Sequence, residues 1–137
     1  EESFFSAIES LARRTTQLYG IHCRFDHDQS VIIRDQSAAT HLYRITQEAV
    51  NNAVKHARCR EVTIRLGWDD KNIRLEILDD GQGIDPRKGE GMGTRTMAYR
   101  AALIGGKLTI ENRPDRSGTS VTCLVSMIHA KAFDDHL

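Results

Sequence analysis

Apolar positions recur along the chain at two spacings, and the changes of spacing mark the elements. Phe4, Phe5, Ile8, Leu11, Ala12 and Leu18 recur at helical intervals, which predicts an amphipathic helix over 3–19 stopped by Gly20. Residues 21–28 (IHCRFDHD) and 30–35 (SVIIRD) read as two short strands around a polar turn. A second helix is predicted over 36–58, with Leu42, Ile45, Ala49 and Ala53 as its stripe and Ser37 or Thr40 as its cap. Val62, Ile64, Leu66 and Trp68 then alternate with Thr63, Arg65 and Gly67, and Ile73, Leu75 and Ile77 alternate with Arg74 and Glu76. That period of two, interrupted by DDKN, predicts a hairpin with one buried face. A third helix runs from about Thr94 to Ile104 and ends at Gly105-Gly106. KLTIEN and TSVTCLVSM read as the last two strands, joined by RPDRSG, and the tail HAKAFDDHL has no clear period. Paired strands with helices between the pairs predict an α+β fold. It would be a two-layer sandwich, with a mixed, mostly antiparallel sheet covered by helices on one face.

Composition narrows the function classes. The chain has 137 residues, 39% of them apolar, and a formal net charge of zero, which suits one domain with its own core. Balanced charge offers no electrostatic footprint for direct nucleic-acid binding. No apolar run reaches the length of a membrane span, so any membrane attachment would come from other parts of a longer protein. The opening EESFFSAIESLARRT begins in mid-pattern and reads as a piece of such a protein. Cys23, Cys59 and Cys123 show neither CxxC pairing nor zinc spacing, and read as reduced, buried thiols of a cytoplasmic protein.

The candidate chemistry lies in residues 78–97, LDDGQGIDPRKGEGMGTRTM. No GxxxxGK[ST] occurs, and neither glycine cluster has the spacing of a dinucleotide fingerprint. The first cluster follows a buried strand and places Asp79 at its end. A carboxylate only accepts hydrogen bonds, so it suits an exocyclic amine such as that of adenine, and Gly81 and Gly83 let backbone approach a flat ring. The second cluster opens a helix, where Gly91, Gly93 and Thr94 present backbone N–H groups suited to phosphate, with Arg95 adding charge. On the preceding helix, Glu48, Asn52 and His56 share one face and Lys55 is adjacent. Asn52 offers an amide oxygen to magnesium, Glu48 a carboxylate for a metal-bound water or a proton, and Lys55 a charge for phosphate. Singly, these features have plainer readings: a strand-ending turn, a solvated helix face, ordinary helix termination, and core or interface aromatics at Phe4, Phe5 and Trp68.

In combination, QEAVNNAVKHA, DDGQGI, GMGTRTMAYRAALIGG and GTSV resemble, in order and spacing, the boxes of the GHKL ATPase superfamily. The resemblance covers roughly residues 36–126. It is nearest to the catalytic, ATP-binding domain of sensor histidine kinases that pair with response regulators of LuxR/NarL type. It implies the Bergerat fold, ATP and Mg2+ as ligands, and phosphoryl transfer to a histidine on a dimerisation domain. It further implies that Asn52 is the magnesium ligand, with Glu48 the acidic residue of the same box and a candidate general base. Lys55 and His56 would be the basic pair near the phosphates and Asp79 the adenine acceptor. Gly81 and Gly83 follow it, Gly91 and Gly93 form the hinge of a nucleotide lid, and Thr119 borders the adenine pocket. Residues 1–20 would be the end of the dimerisation helices or a junction, and 21–137 the catalytic domain. Thr94 departs from the usual Leu, the lid is short, and no histidine here sits in a recognisable phosphoacceptor box. An anti-sigma-factor-like serine kinase and a non-catalytic, nucleotide-dependent interaction module stay open as alternatives.

Overall fold

The computed structural model describes residues 3–56, 58–85 and 91–126. In chain order these form α1 (Phe4–Tyr19), β1 (His22–His27), α2 (Gln36–His56), β2 (Glu61–Asp69), β3 (Asn72–Asp79), α3 (Met92–Leu103), β4 (Gly106–Asn112) and β5 (Thr119–Ser126). The five strands make one sheet in the order β1-β2-β3-β5-β4. β1 runs parallel to β2, and the other pairings are antiparallel. The predicted α+β architecture with a mixed, mostly antiparallel sheet is the observed one.

Strand register explains why the helices settle on one face. Phe25, Ile64, Ile77, Val121 and Ile110 lie in one row across the sheet, and His27, Leu66, Leu75, Cys123 and Leu108 in the next. Ile64, Leu75 and Cys123 are fully buried. α1 packs on β1 and α2; α2 packs on β2, β3 and α3; and α3 packs on β4. Ile8, Leu42, Ile45 and Val50 meet those rows from the helices. Each such large side chain contributes about 1.5–3 kcal/mol by leaving water. The opposite face of the sheet carries Arg65, Glu76, Thr122 and Thr109 in register.

The sequence-based expectation differs from the structure at 30–35, which is not a strand. Asp28 Oδ1 accepts from Ser30 N at 2.9 Å and from Ser30 Oγ at 2.7 Å, a local turn that ends β1. Val31 is then fully buried as a core side chain without joining a ladder. β1 therefore pairs in parallel with β2, through the α2 crossover, rather than folding back as a hairpin. The cap of α2 is Asp35, not Ser37 or Thr40: its Oδ2 accepts from Ala38 N at 2.8 Å. Leu18 is 74% exposed and stands outside the buried stripe of α1. Trp68 is at the rim, its Nε1 donating to Ser30 Oγ at 2.8 Å.

Other expectations match. Gly20 closes α1 in the left-handed region at φ 68°, and Gly105 does the same after α3 at φ 69°. All three cysteines are free and buried, and burial pushes each thiol up to about 11.

One glycine permits the close crossing on which the site depends. Gly118 has φ +131°, and a Cβ there would run into the carbonyl of Asp79 and come within 3.1 Å of Asp80 Cα. Gly118→Ala is expected to cost on the order of 3 kcal/mol in urea-denaturation experiments, against almost nothing for Gly67→Ala, which has open space around it.

Candidate nucleotide site

β3 alternates Ile73, Leu75, Ile77 and then Asp79 on the core side, so the fourth inward position holds an acid. Asp79 pairs across the sheet with Val62 and is 7% exposed. Its Oδ1 accepts from Gly81 N at 2.9 Å and Thr119 N at 3.3 Å. Among the described residues Oδ2 has no hydrogen-bond partner. Burial raises the carboxyl above its ordinary range. The Gly81 and Thr119 amides and the Arg113 guanidinium pull it back only in part, and Asp80 adds to the rise.

Asp80, one residue on, is a structural acid. Its Oδ1 accepts from Arg60 N at 2.7 Å and Glu61 N at 3.0 Å, tying the end of β3 to the start of β2. Partial burial pushes this carboxyl up, but the Glu61 and Arg60 amides outweigh it and hold it below the usual range.

A cleft of about 240 Å³ opens above Asp79. Ala49, Asn52, Ala53 and His56 of α2 form one wall, and Thr94 and Met97 of α3 another. Residues 82–85 make the rim, and Ile110, Thr119 and Val121 the sheet side. Its volume is below the roughly 300–1,000 Å³ of a pocket that engulfs a whole drug-sized ligand. Apolar walls over one buried acid suit a flat heterocycle with a donor on its edge. Larger hollows of about 470 Å³ lie between α1 and the start of α2 and between α1 and β1, and one of about 310 Å³ lies along β1, β2 and β3. None of the three contains a predicted site residue, so the buried acid, not size, marks the site.

The structure brings together Asn52, His56, Asp79, Gly83, Thr94 and Thr119 around the cleft. Gly81 does not line the cleft but holds its floor, its N–H donating to Asp79 Oδ1. Gly83 sits at φ +85°, where a Cβ would press on Asn112 Oδ1 at 2.7 Å. Glu48 does not line the cleft. Its carboxylate lies against Gly93, in the first turn of α3, where a Cβ would displace it. Gly91 is the extended N-cap of α3, with no side chain capping the helix, which starts at Met92, two residues before the expected Thr94. Lys55 is exposed and stands off the cleft wall. Residues 86–90, the middle of the expected lid, and His129 and His136 lie outside the described residues. His41 is engaged between helices, its Nδ1 3.1 Å from Arg100 Nη1. No group of three or more His, Cys, Asp or Glu side chains with metal-site geometry occurs among the described residues.

Sequence reasoning missed the supports of the site. Ser117 Oγ donates to Gly81 O at 2.6 Å, Arg113 Nη1 to Asp79 O at 3.2 Å, and Ile84 N to Asn112 Oδ1 at 2.8 Å. These residues belong to or border RPDRSG, which reads as a plain hairpin link. The only local hint is its density of turn formers.

This fold, with its acid-floored cleft between a long helix and a glycine-opened one, defines a class of ATPase domains. Residues 37–128 match the family described as histidine kinase-, DNA gyrase B-, and HSP90-like ATPase, and the chain belongs to it. Within that family its sequence is similar to that of a histidine kinase. It is 35% identical over 120 residues to the oxygen sensor histidine kinase NreB of Staphylococcus carnosus (strain TM300), covering 85% of this chain and 34% of NreB. The chain thus spans about a third of that relative's length. The histidine kinase domain of the Erythrobacter litoralis EL346 blue-light activated histidine kinase superposes with a TM-score of 0.77 at 19% identity, over 95% of this chain and 63% of that one. The catalytic domain of histidine kinase ThkA gives 0.71 at 17% identity over 90% of each chain. At these identities the two structures speak for the fold. Among the described residues, no helix is long and apolar enough to cross a membrane.

The two adjacent acids should respond oppositely to substitution. Asp79→Asn keeps an acceptor for Gly81 and Thr119 and removes a buried charge. Since the folded state raises this group's pKa, its ionisation costs stability above that pKa and nothing below the unfolded value near 3.8. Asp79→Asn should therefore equal or exceed the parent in thermal stability at pH 7, with the advantage vanishing toward pH 4. Asp80→Ala should lose roughly 1–3 kcal/mol at pH 7. Because the folded state lowers this pKa, that loss should shrink as pH falls through the carboxylate range. Melting curves from pH 4 to 8 measure both.

Proposed function

We propose that this chain binds Mg-ATP in the cleft and donates the γ-phosphoryl group to a histidine on a dimerisation domain outside the described fold. The observation that carries this reading is Asp79: a buried carboxylate at a cleft floor, with one oxygen fixed by backbone and the other, among the described residues, without a hydrogen-bond partner. That oxygen accepts from the exocyclic amine of adenine. Thr119 and Gly83 border the ring, and Gly81 lets backbone approach it. The phosphates extend toward Gly91, Gly93 and Thr94, where backbone N–H groups at the start of α3 face them. His56 lines the same cleft, and Lys55 adds positive charge nearby.

Asn52, one turn after Glu48 on α2 and lining the cleft, gives its amide oxygen to magnesium. Two oxygen-bearing side chains suit a hard cation that takes its remaining ligands from phosphate and water. Bound there, magnesium neutralises charge on the phosphates. In the transfer, an imidazole nitrogen of the acceptor histidine forms a bond to the γ-phosphorus. The bond to the β–γ bridging oxygen breaks, and ADP leaves. The protein's part is positioning and charge neutralisation. Glu48, whose carboxylate lies against the first turn of α3, takes the proton from the histidine or holds a metal-bound water. Residues 1–20 connect to the dimerisation helices, and 21–137 form the catalytic unit. The partner downstream is a response regulator of LuxR/NarL type, and the setting is cytoplasmic, where ATP and reduced thiols coexist.

Calorimetric titration with ADP, with and without magnesium, tests the reading. Binding should require magnesium for full affinity, and Asp79→Asn should weaken it roughly 10–100-fold, the value of a charge-assisted hydrogen bond. Glu48→Gln should still bind nucleotide yet fail to label an added acceptor-helix fragment from γ-labelled ATP. Binding without any transfer by the parent chain would instead favour a nucleotide-dependent interaction module.

A further inference from the structure

The three contacts made by the last residue of β4 and the loop joining it to β5 are more than a turn needs. The turn itself is closed by Arg113 N donating to Gly118 O at 3.0 Å and by the Arg113–Asp115 ion pair at 3.2 Å. Ser117, Arg113 and Asn112 nevertheless reach 36, 34 and 28 residues back along the chain. All three side chains engage main-chain atoms, and all three targets lie between Asp79 and Ile84. Ser117 holds Gly81 by its carbonyl, while the N–H of the same glycine holds Asp79 Oδ1. Arg113 grips the carbonyl of Asp79 itself, and Asn112 fixes Ile84 just beyond Gly83, which sits at φ +85°.

From this arrangement we infer that the β4–β5 loop is the specificity brace of the base pocket. Ser117, with Asn112 and Arg113, positions Asp79 Oδ2 for an exocyclic amine. The inference rests on the nucleotide reading above. None of the three side chains touches the base; they act through Gly81, Ile84 and the Asp79 main chain. Rotation of the Asp79 carboxylate is set by Gly81 N and Thr119 N, so a shift of Gly81 misdirects the other oxygen. Ser117 and Asn112 are exposed, so shortening them leaves the core intact.

The test compares ADP with inosine diphosphate, which carries a keto oxygen where adenine has its amine. Calorimetry on the full chain, with magnesium, should show the parent preferring ADP. Ser117→Ala should weaken ADP roughly 3–10-fold, the worth of one hydrogen bond, while the weaker binding of inosine diphosphate stays within about twofold. Ser117→Thr should restore ADP, and Arg113→Gln should repeat the selective loss. Melting curves verify that each variant is folded. Equal losses for both nucleotides, or no loss for either, would overturn the brace. A folded parent that binds both equally, or binds neither, would overturn it at its premise by removing Asp79 as the reader of the base.

Discussion

A carboxylate on the core side of a central strand is held against its own solvation, and the surrounding structure answers that constraint. Burial of Asp79 outweighs the two amides and the arginine that favour its charge, and among the described residues only its Oδ1 is hydrogen-bonded. A strand that ended in a fourth apolar residue would be more stable, and the cleft would lose its acid floor. The domain keeps the acid and rigidifies its surroundings. Gly118 lets β5 cross within contact of the Asp79 carbonyl, Thr119 gives its amide at that crossing, and Asp80 pins the same strand end to β2.

The helices serve both layers of this arrangement. α2 turns Leu42, Ile45, Ala49 and Ala53 to the core and Asn52 and His56 to the cleft, so a single helix places the ligand-facing groups relative to Asp79. α3 packs on α2 through Met97 and Ala101 and brings its uncapped first turn beside the cleft. Glu48 and Gly93 meet where the two helices approach, and the missing Cβ at 93 is what gives the carboxylate its room.

Much of this was legible in the residue order, for identifiable reasons. Alternation in β2 and β3 fixed their pairing and inner faces, because one-sided burial imposes a strict period of two. The same alternation, carried one step further, reaches Asp79. The long apolar stripe of α2 announced a helix, and the glycine boxes announced the cleft only as a set. What escaped were arrangements made through space. The run 30–35 has the apolar composition of a strand, yet Asp28 turns the chain and Val31 enters the core alone. Asp35 outcompeted two equally plausible caps because it precedes the first turn by the right offset. Ser117 and Asn112 have no periodicity to betray them, since their targets lie about thirty residues away.

The position of β5 between β3 and β4 carries a consequence for biosynthesis. A nascent chain leaving the ribosome completes β1, α2, β2 and β3 while one long side of β3 is still bare. Until residues 119–126 emerge, Asp79 lacks the Thr119 amide and all of the loop that steadies it, and its charge rests in water. The exposed edge is apolar on one face only; Arg74 and Glu76 on the other discourage pairing with a neighbouring chain. Closure of the sheet and completion of the cleft therefore arrive in a single event, once β5 has emerged.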